Sequence, residues 1–217
     1  MKPNPTRSAL LVIDLERGFL DQSSPLCIRQ AAATLPACGR AIAYARGAGI
    51  PVFFVTRAYR ANGSDVELTR YRGWRDGGAP LAPGSTGPGS VETPPEVTPR
   101  PGDYTIVKPR FSAFFQTELD LILRRLGVHT LYLAGTTTPN CIRTTCYDGI
   151  SLDYNVAVLT DCCSSNTDDI QQSNLRDMAN IGAFLLTSDD FLAGQEPPDL
   201  ARQVQSLVLA DPTPPEP

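Results

Sequence analysis

The chain is poor in several features that mark common functional classes. His129 is the only histidine among 217 residues, which excludes zinc sites built from several histidines. A Cys–His dyad would depend on that one residue. The six cysteines form no Cys-x-x-Cys pair, so a thiol-redox protein is disfavoured, and we expect the thiols to be reduced.

Long apolar runs and basic stripes are also missing. The longest apolar stretches, such as residues 9–13 and 51–55, have the length of a strand and are far too short to span a bilayer. The first seven residues lack the apolar core of a signal peptide. A net charge of −4 and a pI near 5.0 argue against a nucleic-acid or anionic-membrane partner. We therefore expect a cytoplasmic protein that binds neither nucleic acid nor membrane.

What the sequence does contain is an alternation of short apolar strands with helices. Strands are predicted at residues 8–14, 52–56, 104–107, 130–134, 156–160 and 183–187, and helices at 28–48, 112–126, 139–152 and 168–181. This alternation predicts an α/β fold with a parallel sheet covered on both faces.

We expect one domain over residues 1–217. A stretch at about 76–102 is dense in Gly, Pro, Ser and Thr and is predicted to be an extended loop, either a mobile flap or a plain surface insertion. A flexible tail is expected at about 205–217, with a disordered Pro-rich end at 211–217.

Cys141 is the most informative residue, because it follows a strand and a tight turn. The strand at residues 130–134 breaks at Gly135, and a helix starts near Pro139 with Thr138 as its expected N-cap. Cys141 then lies in the first helical turn, where free amide groups and the helix dipole favour the thiolate. A thiol in this setting is a candidate nucleophile.

Asp14, Lys108 and the Cys141 turn all fall at the carboxyl ends of predicted strands. Ligands of open parallel sheets bind beyond these ends, so we expect the three side chains to meet at one edge. His129 lies at the other end of its strand, roughly 16 Å away, and is not expected to serve the thiol. Taken alone, each residue has a structural interpretation as a loop cap, a solvated lysine or a small buried hydrophobe. Their coincidence carries the hypothesis.

The three residue types describe acyl transfer through a thioester. Lys108 would stabilise a thiolate, and Asp14 would accept the thiol proton and return it to a leaving amine. The turn at residues 136–138 offers backbone N–H groups that could hold an oxyanion beside the sulfur. Water would then hydrolyse the thioester.

Three motifs resemble the isochorismatase-like cysteine hydrolases. They are Val-Ile-Asp14 with Phe19, Val-Lys108 followed by Phe-Ser-Ala-Phe114, and Gly-Thr-Thr-Thr-Pro-Asn-Cys141. The similarity runs from about residue 8 to residue 187. Residues 138–143, with Asn174, Asp177 and Met178, are similar to a subgroup that includes plant-type nicotinamidases. The resemblance implies a three-layer α/β sandwich with a mainly parallel six-stranded, Rossmann-like sheet, and a homo-oligomer, either a dimer or a tetramer.

The resemblance also implies a site, residue by residue. Asp14, Lys108 and Cys141 match the Asp-Lys-Cys triad of the family. A non-proline cis peptide would join Thr136 to Thr137, and the N–H groups of Thr137 and Cys141 would form the oxyanion hole.

Substrate binding is assigned to four aromatic residues and one threonine: Phe19, Tyr59, Trp74, Phe111 and Thr136. Phe19 resembles a family position that lines the pocket. Tyr59, Trp74 and Phe111 are candidates because aromatic walls suit a flat amide or ureido substrate, with core packing as the competing interpretation.

The arginines that follow the second strand have two interpretations. Arg57, Arg60, Arg70 and Arg72 are close in sequence and are candidates for binding a substrate carboxylate, or for a solvated surface with intersubunit ion pairs. Metal-dependent nicotinamidases of the family carry an Asp-Trp-His segment here. Ala58 and Arg60 occupy the two ligand positions, so we expect no metal and no cofactor.

We predict a metal-independent cysteine hydrolase that cleaves an amide or ureido C–N bond of a small molecule. The alternatives are a nicotinamidase, an isochorismatase proper, or a catalytically silent, oligomeric interaction protein of the same fold. The cysteine favours amide hydrolysis over ether cleavage, and the intact triad argues against a silent protein.

Overall fold

A single twisted sheet forms the centre of the protein in the computed structural model, which describes residues 7–210. Its strands are β1 (Ser8–Ile13), β2 (Val52–Arg57), β3 (Tyr104–Lys108), β4 (Thr130–Thr136), β5 (Asn155–Ser164) and β6 (Phe184–Leu186). The order is β3-β2-β1-β4-β5-β6, and all five strand pairs are parallel. The predicted six-stranded parallel sheet is confirmed.

Helices cover both faces of this sheet. Within residues 7–210 they are α1 (Arg17–Leu20), α2 (Leu35–Ala48), α3 (Tyr71–Asp76), α4 (Leu119–Arg125), α5 (Arg143–Ser151), α6 (Asp168–Asn180), α7 (Ser188–Leu192) and α8 (Leu200–Ala210). Along β1, Ala9, Leu11 and Ile13 pack on the face covered by α4, α5 and α6, and Leu10 and Val12 pack on the face covered by α2 and α7. A strand that is buried on both faces must be apolar throughout, which is why β1 lacks alternation.

The direction of strand addition reverses between β1 and β4. From β1 the chain adds β2 and then β3 on one side, and it returns to add β4, β5 and β6 on the other. At such a switch point the connections leave β1 and β4 in opposite directions and open a crevice at their carboxyl ends. Asp14 and the Cys141 turn lie at this crevice.

Two of the predicted helices begin later than the sequence pattern indicates. The helix expected from residue 28 starts at Leu35, after a short 3-10 turn at Ala31–Thr34, because Pro36 lacks an N–H and fits the first helical turn. The helix continues through Gly39 without a break.

The helix expected at 112–126 spans only Leu119–Arg125. Gln116 has a left-handed backbone with φ of 53°, which interrupts helical hydrogen bonding. The Thr117 hydroxyl donates to the Ala113 carbonyl, and Ser112 accepts from the Phe114 amide, 3.1 Å away, so these side chains stabilise turns instead.

The loop at 76–102 is packed rather than splayed into solvent. Leu81, Ser90 and Val97 are fully buried, and the Tyr59 amide donates to the Leu81 carbonyl at 2.9 Å. Two short 3-10 turns, Gly87–Gly89 and Pro95–Val97, punctuate it.

Near the carboxyl end, residues 205–210 were predicted to be part of a flexible tail, but they are helical in α8. The disorder predicted for 211–217 concerns residues outside the described range. Among residues 7–210, the helices are too short or too polar to cross a membrane.

Candidate active site

Three strands present a charged side chain at the carboxyl edge of the sheet. Asp14 follows β1, Arg57 ends β2, and Lys108 ends β3 directly beside Arg57 in the strand register. Asp14 has a left-handed backbone with φ of 51°, a conformation that aspartate tolerates better than most residues. Parallel pairing therefore gathers at one edge residues that are up to 94 positions apart in the sequence.

Lys108 joins the other two members of the predicted triad. Its Nζ donates to Asp14 Oδ2 at 2.8 Å and to Cys141 Sγ at 3.5 Å, and it also donates to the Arg110 carbonyl at 3.2 Å. Lys108 and Asp14 are completely buried, and Cys141 is 4% exposed. A charged pair at such depth is stabilised by its mutual contact, which here engages Asp14 Oδ2, whereas Asp14 Oδ1 has no hydrogen-bond partner within residues 7–210.

Arg57 is a third charged residue at this thiol, one that the sequence indicated only as a possible carboxylate ligand. Its Nη1 lies 3.9 Å from Cys141 Sγ, and its Nη2 forms a buried ion pair with Glu67. The guanidinium also lies over the rings of Tyr59 and Phe111, 5.5 and 4.8 Å from their centres. The signal in the sequence was its place at the end of β2.

The backbone that presents Cys141 has an unusual geometry. The Thr136–Thr137 peptide is cis, at the position that the family resemblance implies. Gly135, just before it, has φ of +119°, and a Cβ there would lie 1.9 Å from the Ile13 carbonyl oxygen. Only glycine fits this approach of β4 to β1, so Gly135 brings the Cys141 turn against the strand that carries Asp14.

The helix at Cys141 starts differently from the prediction. Thr138–Ile142 form a π-helical turn, in which the Ile142 amide donates to the Thr137 carbonyl five residues earlier, at 3.3 Å. Thr138 lies inside this turn and does not cap it, because its hydroxyl donates to the Ser164 carbonyl at 3.0 Å. Cys141 is nevertheless in the first turn, as predicted.

The expectation that this position favours a thiolate is wrong for the resting protein. Burial, together with the negative charge of Asp14, raises the pKa of the Cys141 thiol to about 12. Lys108 and Arg57 lower the pKa but do not reverse the shift. The resting thiol is therefore protonated, and any attack by sulfur requires a nearby group that takes the proton.

Glu16, two residues after Asp14, is a buried carboxyl group that was not predicted from the sequence as part of the site. Its Oε1 accepts the Arg57 backbone amide, whereas its Oε2 is buried without a hydrogen-bond partner. Burial is the largest effect on Glu16 and, together with the charge of Asp14, it raises the pKa of Glu16 to about 8. The hydrogen bond from the Arg57 amide and the charge of Lys108 lower the pKa by less. Glu16 therefore keeps a proton at neutral pH and places no second charge beside Asp14.

Replacing Glu16 by glutamine is expected to change how stability depends on pH. The folded-state pKa lies above the ordinary 4.5, so the native protein binds the extra proton and loses stability as pH rises from about 5 to 8. Glu16→Gln should remove this decline. The unfolding free energy of the variant minus that of the wild type should therefore grow by roughly 1 kcal/mol for each pH unit between about pH 5 and 8. Urea unfolding at pH 5, 6, 7 and 8 measures this difference in unfolding free energy. Glu118→Gln, at an exposed residue, is the control. Parallel stability profiles for Glu16→Gln and the wild type would refute the assignment.

A cavity of about 490 Å³ opens above the thiol. Asp14, Cys141, Thr137 and Asn140 form its polar floor. All four aromatic residues that were assigned to substrate binding line it: Phe19, Tyr59, Trp74 and Phe111. The loop at 76–102 contributes Pro80, whose carbonyl accepts from Trp74 Nε1 at 2.8 Å.

The assignment of Thr136 to substrate binding is not supported by its position. Thr136 is fully buried outside the cavity lining, and its hydroxyl accepts from Ser164 Oγ at 3.0 Å. Thr137, one residue later, lines the cavity instead.

The four arginines divide into two pairs. Arg57 and Arg70 line the cavity, whereas Arg60 and Arg72 are exposed residues outside it. Ala58 lies beside Arg57 at the end of β2. Within residues 7–210, no group of three or more His, Cys, Asp or Glu side chains is arranged to hold a metal ion.

Comparison with known proteins agrees with this architecture. The Isochorismatase domain model matches residues 8–190. A probable inactive nicotinamidase of Arabidopsis thaliana is 39% identical, covering 81% of this chain and 89% of its own. A ureidoacrylate amidohydrolase of Pantoea ananatis is 34% identical, and the match covers 72% of this chain and 69% of that protein. The crystal structure of an isochorismatase family protein from Desulfovibrio vulgaris superposes with a TM-score of 0.80 at 40% identity, covering 84% of this chain and 95% of its own.

Proposed function

Because the chain belongs to the isochorismatase family, we propose that it is a cysteine hydrolase that cleaves an amide or ureido C–N bond of a small molecule. The observation that carries the proposal is the position of Lys108, whose ammonium group contacts both the Asp14 carboxylate and the Cys141 sulfur. The carboxylate, the sulfur and Thr137 border the same cavity, so a substrate carbonyl can reach all of them.

In the first half-reaction, the Cys141 thiol transfers its proton to Asp14 as the sulfur attacks the carbonyl carbon. A C–S bond forms and the carbonyl π electrons move to oxygen, which gives a tetrahedral oxyanion. The oxyanion then re-forms the C=O bond, and the C–N bond breaks. Asp14 returns the proton to the departing nitrogen, so ammonia or an amine leaves and a thioester remains. Lys108 and Arg57 offset the negative charge that passes through the sulfur.

In the second half-reaction, water attacks the thioester while Asp14 accepts one of its protons. The new tetrahedral oxyanion collapses with cleavage of the C–S bond, and the proton on Asp14 passes to the leaving sulfur. A carboxylic acid is released and the resting thiol is restored. The cycle consumes one water and needs no electron carrier or external base.

The oxyanion of both half-reactions is assigned to the backbone N–H groups of Thr137 and Cys141. Thr137 and Cys141 both border the cavity, and they lie close together at the start of the same helical turn. This arrangement would replace the solvent that normally stabilises a tetrahedral oxyanion.

The relatives favour ureido compounds and small amides over nicotinamide as substrates. The similar Pantoea ananatis protein is a ureidoacrylate amidohydrolase, and the similar Arabidopsis thaliana protein is named a probable inactive nicotinamidase. A nicotinamidase activity therefore remains the second candidate, and a silent protein of this fold the third.

An ammonia-release screen over ureido acids, maleamate, biuret and nicotinamide separates these candidates. We expect release from at least one ureido or amide compound, and no loss of rate after prolonged chelator treatment, since Ala58 and Arg60 replace the expected metal ligands. Nicotinamide turnover alone would select the second candidate. Silence across the panel would favour a non-catalytic protein, and a chelator-sensitive rate restored by zinc would overturn the metal-free assignment.

A further inference from the structure

Three charged side chains line the cavity, and two of them are already compensated. Asp14 is paired with Lys108 at 2.8 Å, and Arg57 forms its buried ion pair with Glu67. Arg70, the third, forms no ion pair or hydrogen bond through its guanidinium with any residue between 7 and 210. The cavity therefore carries one uncompensated positive charge.

Glu67 is the nearest acid in the sequence, but its carboxylate is already engaged. Oε1 accepts from Arg57, and Oε2 accepts from the Tyr59 hydroxyl at 3.1 Å. These contacts fix Arg57 and Tyr59 in place and leave Arg70 as the cationic group that is available to a ligand. Arg57 is 2% exposed, whereas Arg70 is exposed at the rim of the cavity.

Phe111 contacts both arginines that line the cavity. The guanidinium carbons of Arg57 and Arg70 each lie 4.8 Å from the centre of the Phe111 ring, so they are within twice that distance of each other. Arg57 Nη1 in turn lies 3.9 Å from Cys141 Sγ. The Arg70 guanidinium and the sulfur border the same cavity of about 490 Å³, a size that suits one small molecule, and the contact with Phe111 restricts the motion of the Arg70 side chain.

Building on the proposed function, we propose that the substrate is an anionic amide or ureide and that Arg70 determines this specificity. The carboxylate of the substrate pairs with the Arg70 guanidinium, its flat body lies along Phe111, and its scissile carbonyl lies at Cys141. A guanidinium presents two parallel N–H groups that match the two oxygens of a carboxylate. An uncharged amide leaves Arg70 in water and gains nothing from it.

The test compares N-carbamoylglycine, which carries a carboxylate, with n-propylurea, which has the same urea group and no charge. Arg70→Gln should raise the KM for N-carbamoylglycine about 10- to 100-fold, as expected for a lost charge-assisted hydrogen bond. The KM for n-propylurea should not rise, because this compound has no carboxylate. Arg70→Lys should recover part of the loss. The matched control is Arg72→Gln, which removes an exposed arginine two residues away, outside the cavity.

A binding measurement keeps this inference separate from the catalytic proposal. Calorimetric titration of the Cys141→Ala protein with the same two compounds should show tighter binding of the carboxylate, and that preference should vanish in Cys141→Ala/Arg70→Gln. The assignment of Arg70 is wrong, even when ammonia is released, if Cys141→Ala binds the two compounds equally well. It is also wrong if Cys141→Ala/Arg70→Gln still prefers the carboxylate. If Cys141→Ala prefers the carboxylate but the wild-type protein turns over neither compound, the anion site stands and the hydrolase proposal fails.

Discussion

Replacing Cys141 by alanine is expected to abolish ammonia release from every accepted substrate, with a fall in kcat on the order of 10⁴-fold or more. The sulfur forms the thioester, and it is the cavity-lining thiol that contacts Lys108 beside Asp14, the proposed base. Rapid acid quenching of the wild-type reaction, followed by peptide mass spectrometry, should locate an acyl group on Cys141.

Cys146 provides a matched control for this experiment. It is a buried thiol on α5 in the same apolar core, and only burial raises its pKa. Cys146→Ala should therefore cost some stability through lost packing and leave kcat nearly unchanged. Full turnover by Cys141→Ala, or an acyl group found on Cys146, would end the assignment of the nucleophile.

Replacing Asp14 by asparagine is expected to uncouple turnover from thiol reactivity. The variant cannot accept the thiol proton, so kcat should fall about 10²- to 10⁴-fold. The pKa of Cys141 should fall as well, because Asp14 raises it through its charge and hydrogen bond, whereas Lys108 and Arg57 lower it and remain. At pH 8 a larger fraction is then thiolate, and iodoacetamide should alkylate Cys141 faster than in the wild type while hydrolysis is lost.

The loss of the buried ion pair in Asp14→Asn has its own structural cost, since Lys108 is left without its carboxylate. The double variant Asp14→Asn/Lys108→Met removes both charges and should recover thermal stability without recovering turnover. Slower alkylation in Asp14→Asn would contradict the electrostatic assignment. Retention of most of the activity would show that another group takes the proton.

Much of the fold follows from local patterns. The apolar run of β1 ends in Asp14, and Gly135 is followed by Thr-Thr-Thr-Pro before Cys141, so strand ends and the following turns are visible without coordinates. The family resemblance and the parallel six-stranded sheet, both predicted, are confirmed. The segment at 112–118 was mispredicted as helix, because side-chain hydrogen bonds to the backbone compete with helical ones, and apolar spacing does not report that competition.

The three positions of the proposed triad were predictable from the sequence, whereas Glu16 and the electrostatics of the site were not. Because parallel strands end at the same edge, Asp14 and Lys108 were expected to meet Cys141, and the distances bring the three groups together. The protonation state of the thiol was mispredicted, since helix position is local whereas desolvation depends on everything packed around the sulfur.

By itself, the sequence determined the order of strands and helices, the apolar core and the edge of the sheet where chemistry is expected, because these depend on neighbouring residues and on strand direction. Only the tertiary structure decided that Arg57 reaches the sulfur, that Glu16 is buried beside Asp14, and that Arg70 lines the cavity without an acidic partner. The physical reason is that charge pairing and burial are set by contacts between residues distant in the chain, which no local pattern encodes.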